Sequence, residues 1–422
     1  MKDKWRNKYV EMAKNPDIGG FQVLTAFNAN IDRTIKLEEL NWNLKAEAEK
    51  LESVENLEDI KKVLNYCVEN SKNLEVDASN FNGSINQGKL NIGGQAGIMA
   101  NFLSGLDGSV TFYTPFLSEQ LAEKIDERVL HPYFENEFML KNVRDSANTD
   151  RTKENIIIEF SEPKSGRLIL SDKLRGFGPY FRSGIEDNIE LIDQNIQGAL
   201  FSGFQNVTGN KELKIEKSRQ QLAKIKSKKH IEMVDCSKEL FHLIGDKILP
   251  HVDSVGLDEN EASQLAEVAD KEVSEPLHIG EAFDLFKNLI EDTELERCHL
   301  HTYRYHLIVA KNNYDLDLTH MRDGMLFGEI AAIKSADLGR IPELDDFDGL
   351  SFDEVHVKSL DEFEEFEDFF DLENFTETGM AEIDDFKVAA VPTLIHENPE
   401  RLVGMGDLIS SGAFAYELSK EP

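Results

Sequence analysis

The residues best suited to chemistry lie near the C-terminus, in Gly404-Met405-Gly406-Asp407 and the following Leu408-Ile409-Ser410-Ser411. The glycines permit a tight turn and a close approach of backbone to a ligand. The apolar run Gly412-Ala413-Phe414-Ala415-Tyr416 is patterned as a helix, whose free N–H groups would point back at the turn and favour an anion there. Asp407 beside such an anion is a candidate base for phosphoryl transfer, a reaction governed by positioning and charge neutralisation. The same residues also suit an ordinary helix entry with Asp407 as N-cap. The motif alone leaves both readings open.

Other polar groups fall at the ends of predicted strands. Phe21 to Phe27 reads as a buried strand running into Asn28-Ala29-Asn30-Ile31-Asp32. Ligands of open α/β sheets sit outside the carboxyl ends of strands, so this cluster is placed to meet a polyol; a plain Asn/Asp turn is the alternative. Asn91-Ile92-Gly93-Gly94-Gln95-Ala96-Gly97 forms a second glycine-rich turn into an apolar helix. His230-Ile231-Glu232 opens a strand, and Asp258-Glu259-Asn260-Glu261 puts carboxylates at the positive end of a helix.

The elements that must position these groups alternate. Helical pattern over 1–20 and 38–75, strand at 109–113 and helix from 118 precede strand 199–204, helix 211–227, strand 230–235, helix 237–247 and strand 252–257. Residues 76–90 read as a polar loop or short strand; 298–302, 305–310 and 387–391 supply further strands. Such alternation predicts a mainly parallel sheet flanked by helices. Residues 154–160 and 167–171 break the pattern, because a six-residue connection joins only antiparallel strands. That hairpin suits a small lid excluding water from a phosphoryl group, or an edge of the main sheet. Asp361 to Phe370 alternates acids with Phe at helical spacing, which predicts a surface helix with solvated carboxylates rather than a metal site.

With 422 residues, the chain can build one large and one small domain. A formal net charge of -34 excludes nucleic-acid binding as its main business and argues against an anionic membrane surface; it also suggests a salty, halophilic setting. Cys67, Cys236 and Cys298 are widely separated, without zinc or disulfide spacing. No apolar run of about twenty residues occurs, so a soluble, cytoplasmic protein is expected. Monomer and dimer both stay open.

Taken in order, Asn30/Asp32, Gly93-Gly94-Gln95-Ala96-Gly97, His230-Ile231-Glu232, Ser254-Val255-Gly256-Leu257 with Glu261, His301-Thr302 and Gly404-Met405-Gly406-Asp407 resemble the ADP-dependent sugar kinases. This is the phosphofructokinase and glucokinase group of the ribokinase-like superfamily. The resemblance implies an α/β, Rossmann-like large domain from 1–33, 91–140 and 181–422. A smaller α+β lid would come from 34–90 and 141–180. It also implies Asp407 as base, the backbone of Gly404, Met405 and Gly406 as anion hole, and Asn30, Asp32, Gly94 and Gln95 on sugar hydroxyls. Mg²⁺ would be held by Glu232 and Glu261, with ADP as donor.

Arg167 and Arg175 are the candidates for a sugar 6-phosphate, favouring fructose 6-phosphate as substrate and fructose 1,6-bisphosphate and AMP as products. Glucose phosphorylation is the close alternative, with Glu75 as a candidate hydroxyl partner. Two departures stand out. The family pattern has Asn where this chain has Asp258, and Asn-Arg-Phe-Ile where this chain has Leu174-Arg175-Gly176-Phe177. The first keeps a catalytically impaired, ADP-sensing protein in view.

Overall fold

The computed structural model describes residues 1–44, 46–161, 166–397, 399–401 and 403–420. Among these, eleven strands form one sheet and five form another. Gln22–Ala26 lies inside the large sheet, parallel to Gly198–Phe201 on one side and Ser109–Tyr113 on the other. Beyond Gly198–Phe201 follow Lys228–Glu232, Ser254–Asp258 and Arg297–His301, all parallel. Tyr305–Lys311, Phe386–Pro392 and Met380–Ile383 then complete that side antiparallel. The chain runs to both sides of Gln22–Ala26, so a crevice opens at the carboxyl ends of the central strands.

The hairpin at 154–171 is antiparallel, as its short connection requires, and belongs to the second sheet rather than an edge of the first. Its turn at 162–165 lies outside the described residues. That sheet runs Leu74–Asp77, Gly166–Ser171, Glu154–Phe160, Asn30–Lys36 and Lys89–Gly93. One face rests on its own apolar cluster, including Ile35, Val54, Ile60, Leu64, Val76, Ile158, Leu168 and Leu170.

Several expectations need correction. The helix expected over 38–75 is confined to Leu57–Asn70, with a single 3-10 turn at Leu37–Leu40 and a strand at Leu74–Asp77. Asn56 starts the helix by accepting hydrogen bonds from the N–H groups of Glu58 and Asp59, while Asp59 closes the capping box. Helix Glu119–Ala122 is brief and leads to the edge hairpin Leu130–Phe134 and Phe138–Asn142. The Asn28–Asp32 cluster is no plain turn, since Asn30–Lys36 is a strand of the second sheet. One strand end thus passes directly from the large sheet into the small one.

The long buried helix Leu318–Leu338 was not anticipated. It packs along the C-terminal helix Met405–Ser419, and the closeness depends on missing side chains. A Cβ at Gly328 would lie 2.3 Å from the Ile409 carbonyl oxygen. The helix that carries Gly404–Asp407 is therefore held by backbone-to-backbone packing against its neighbour.

Candidate active site

Asn30, Asp32, Gly94, Gln95, Arg167, Glu232, Glu261, Gly404, Met405, Gly406 and Asp407, scattered over most of the sequence, all line one cleft of about 1800 Å3. The cleft lies between the two sheets, at the strand ends where the α/β topology places a ligand.

At its centre, Gly404 takes φ +79° and stands at the N-cap of helix Met405–Ser419, with no side-chain cap. Asp407 is in the first turn of that helix, so it is not the N-cap, and its carboxylate is left for other work. Oδ2 lies 3.5 Å from where a Cβ on Gly404 would stand, over the glycine turn. Burial and the nearby Glu232 carboxylate push Asp407 up to about 7, against the opposing charge of Arg401. A carboxyl group poised near neutrality, over the positive end of a helix, can take a proton from a hydroxyl and stay beside an anion.

On the small-sheet side, Asn30 donates to Asp32 Oδ1 at 2.6 Å and Asn155 reaches the same oxygen at 3.4 Å. Burial raises Asp32 to about 6, opposed by the Asn30 hydrogen bond and by Lys153. Gly94 lets this strand end meet the second glycine turn, because a Cβ there would lie 2.7 Å from the Asn28 carbonyl oxygen. The result is a packed row of amide and carboxylate groups suited to a polyhydroxylated ligand.

The cations differ from expectation. Arg167 lines the cleft, whereas Arg175 is solvent-exposed and outside it. Leu174 and Phe177 are buried on either side and linked by a 3.2 Å backbone hydrogen bond, which turns the intervening Arg175 outward. Lys153 and Lys173 line the cleft instead. Lys153 is buried and reaches Asn206 Oδ1 at 3.4 Å; burial lowers its pKa, offset by Glu75 and Asp32. Neither lysine carries a motif. Their positions flanking the hairpin strands of the second sheet, just before Glu154 and shortly after Ser171, were the one signal available. Glu75 also lines the cleft.

On the other side, Glu232 is buried and accepts from His230 Nε2 at 2.5 Å and from the Ser410 hydroxyl. Burial pushes this carboxylate up, but those hydrogen bonds and the nearby His301 more than compensate, so its pKa is lowered. His230 Nδ1 meets Ser254 Oγ at 2.8 Å, Ser254 accepts from Arg297 at 2.9 Å, and Arg297 pairs with Glu417 at 2.7 Å. Tyr314 OH closes the chain on Glu417 at 3.0 Å. This buried line fixes Glu232 from the interior of the sheet.

Glu261 accepts the N–H groups of Asp258 at 2.6 Å and Asp235 at 3.1 Å. Asp258 returns the bond, accepting from the N–H of Glu261 at 2.9 Å as N-cap of helix Glu259–Val268. Asn caps as well as Asp, so the cap does not require the extra charge of Asp258. Burial and Asp258 raise Glu261 strongly, and Glu232 adds to this.

Among the described residues no three metal-ligating side chains converge. Glu232 and Glu261 line the same cleft, and carboxylate oxygens are the donor type that a hard cation keeping its waters would take. No helix among these residues is long and apolar enough to cross a membrane.

Comparison with known proteins is consistent along the whole chain. The ADP-specific Phosphofructokinase/Glucokinase conserved region matches residues 21–416. An ADP-dependent glucose/glucosamine kinase of Pyrococcus abyssi is 29% identical, the alignment covering 94% of each chain. An ADP-specific phosphofructokinase of Pyrococcus horikoshii is 28% identical over 93% of this chain and 96% of the relative. A solved ADP-dependent kinase complex with fructose-6-phosphate and ADPβS superposes with a TM-score of 0.82 at 25% identity, covering 99% and 98% of the two chains. With a matching motif set gathered in one cleft and a family match over residues 21–416, this chain belongs to the ADP-specific phosphofructokinase/glucokinase family and is a phosphotransferase of the ADP-dependent sugar kinases.

Proposed function

We propose that the protein transfers the β-phosphoryl group of ADP to the 1-hydroxyl of fructose 6-phosphate, giving fructose 1,6-bisphosphate and AMP. The observation that carries this is the cationic floor of Lys153, Arg167 and Lys173 in the same cleft as Asn30, Asp32 and Asp407. A 6-phosphate brings about two negative charges and needs such partners, whereas a neutral sugar does not.

The sugar lies toward the second sheet, with its hydroxyls on Asn30, Asp32, Gly94 and Gln95. The transferred group lies at the Gly404–Asp407 turn. The nucleoside takes the remaining part of the cleft, between Leu277 and Tyr303 on one wall and Ile333, Leu394 and Pro399 on another. Asp407 accepts the proton as the O1–H bond breaks and the O1–P bond forms. The bond from phosphorus to the bridging oxygen breaks, and AMP leaves with that electron pair. The backbone N–H groups at Met405 and Gly406 stabilise charge spreading over the phosphoryl oxygens. Mg²⁺, held by Glu232 and Glu261 directly or through water, would supply charge neutralisation for the donor phosphates.

Glucose is the second reading, favoured by Glu75, a carboxylate lining the sugar end beside the cations. Turnover of fructose 6-phosphate and of glucose, each with ADP and with ATP, decides between them. Preference for glucose removes the role given to the cationic floor. Equal or better turnover with ATP removes the assignment of ADP as donor.

A further inference from the structure

The acidic helix Val357–Phe370 is not wholly a solvated face. Glu362 is buried, its side chain only 5% exposed, and it forms an ion pair with Nη1 of Arg304. The same carboxylate accepts the N–H of Ile279 at 3.1 Å, and His278 Nδ1 lies 3.9 Å away. Arg304 uses Nη2 to reach the Leu277 carbonyl oxygen at 2.9 Å, which also accepts from Tyr305 OH at 3.0 Å. The Arg304 carbonyl in turn accepts from the Ser359 hydroxyl, and from the N–H and hydroxyl of Thr393 at 3.0 and 2.8 Å. One ion pair thus joins the acidic helix, the loop before helix Ile279–Asp292 and the turn between two sheet strands.

Those joined segments form a wall of the cleft. Ser274 to Leu277, Thr302, Tyr303 and Thr393 to His396 all line it, and Tyr303 at the tip of the turn is 74% exposed. Glu259 adds a tie from the cleft floor, accepting the Leu277 N–H at 3.0 Å. A buried ion pair is an expensive way to hold a fold, since apolar packing does so at least as well. Its planar, directional contacts do fix the relative positions of loops, and a wall fixed beforehand reduces the ordering cost of binding.

We infer that Glu362 and Arg304 are positioning residues for the nucleoside diphosphate, holding the Tyr303 turn and the 274–277 loop in their binding geometry. The inference rests on the orientation given above, with the nucleoside at this wall and the sugar at the other end. Neither residue lines the cleft, so the effect is transmitted through the backbone they hold.

The test measures ADP and fructose 6-phosphate binding by calorimetry, with steady-state kinetics, in the full chain and in Glu362→Gln, Arg304→Lys and the exposed-site control Glu365→Gln. The expected result is a rise of about tenfold in the Kd and KM for ADP in the first two variants. The maximal rate and the KM for the sugar stay within about threefold, the pattern of lost uniform binding, and the control behaves as wild type. Folded variants that keep the wild-type ADP affinity overturn the inference and leave the orientation standing. Weakened sugar binding with unchanged ADP affinity overturns the orientation itself, as does a wild-type protein that binds no ADP. Failure of both variants to fold overturns the positioning role in favour of a purely structural one.

Discussion

Replacing Asp407 by Asn tests the catalytic and the electrostatic reasoning together. The carboxyl group is raised from 3.8 to about 7, mainly by burial and by Glu232. At about 1.4 kcal/mol per unit, that shift corresponds to an upper bound of about 4 kcal/mol. Asp407 is only partly buried and borders the open cleft, so a screened value of about 1–2 kcal/mol is the reasonable expectation. The sign follows from linkage. Between the unfolded and folded values the native state binds more protons, so ionisation of Asp407 lowers stability as pH rises from about 4 to about 7. Asn removes that cost. Denaturant titrations of the variant should show a gain of about 1–2 kcal/mol above pH 7, shrinking as pH falls toward 4.

Turnover should fall by about 10²- to 10⁴-fold, the usual contribution of a positioned base, while ADP binding persists. In the wild type, kcat/KM for the sugar should drop about tenfold per pH unit below 7, and the variant's residual rate should lose that dependence. Turnover within tenfold of wild type would refute the role of Asp407 as base. An unchanged stability difference from pH 5 to pH 8 would refute the account of its raised pKa.

Arg167→Met and Lys173→Met should each raise KM for fructose 6-phosphate by about 10–100-fold, the loss of one charged hydrogen bond, with Arg175→Ala near wild type; a larger effect at Arg175 would relocate the phosphate. Arg297→Met leaves Glu417 buried without its guanidinium and should cost about 3–5 kcal/mol in urea unfolding, most of it recovered on adding Glu417→Leu. Additive losses in that double variant would show that the pair's charges are not the cause. Asp258→Asn should preserve the helix cap within about 0.5 kcal/mol while raising the half-saturating Mg²⁺ concentration severalfold, because a carboxylate beside Glu261 is neutralised; an unchanged metal titration would remove Asp258 from the cation's surroundings.

Much of the polar machinery was legible because each piece sits at a strand end or helix start, where local pattern and chemistry coincide. The Gly404–Asp407 turn, the Asn30/Asp32 cluster and the Glu232 and Glu261 positions all fall at such junctions. The antiparallel hairpin was legible from its connection length alone. Element boundaries outside these signals were less so, as the residues 38–75 show: a helix-forming composition there yields to the cap at Asn56 and to strand pairing of Leu74–Asp77.

What the sequence determined by itself was therefore the α/β alternation and many of the groups that converge on the cleft, though not Lys153 and Lys173. Only the tertiary structure decided which side chains face that cleft and what they are worth there. Arg167 faces the cleft with Ile169 and Ser171 because the alternate residues Leu168 and Leu170 are buried in the apolar cluster, and Arg175 faces out because the burial of Leu174 and Phe177 sets the turn that holds it. Asp407 titrates near neutrality because the fold buries much of it and brings Glu232, distant in sequence, beside it. Glu362, one acid among many in its helix, is buried because Arg304 meets it from another part of the fold. Periodicity along a chain records which face of an element is apolar, whereas burial and pairing of charge depend on contacts between residues far apart in sequence.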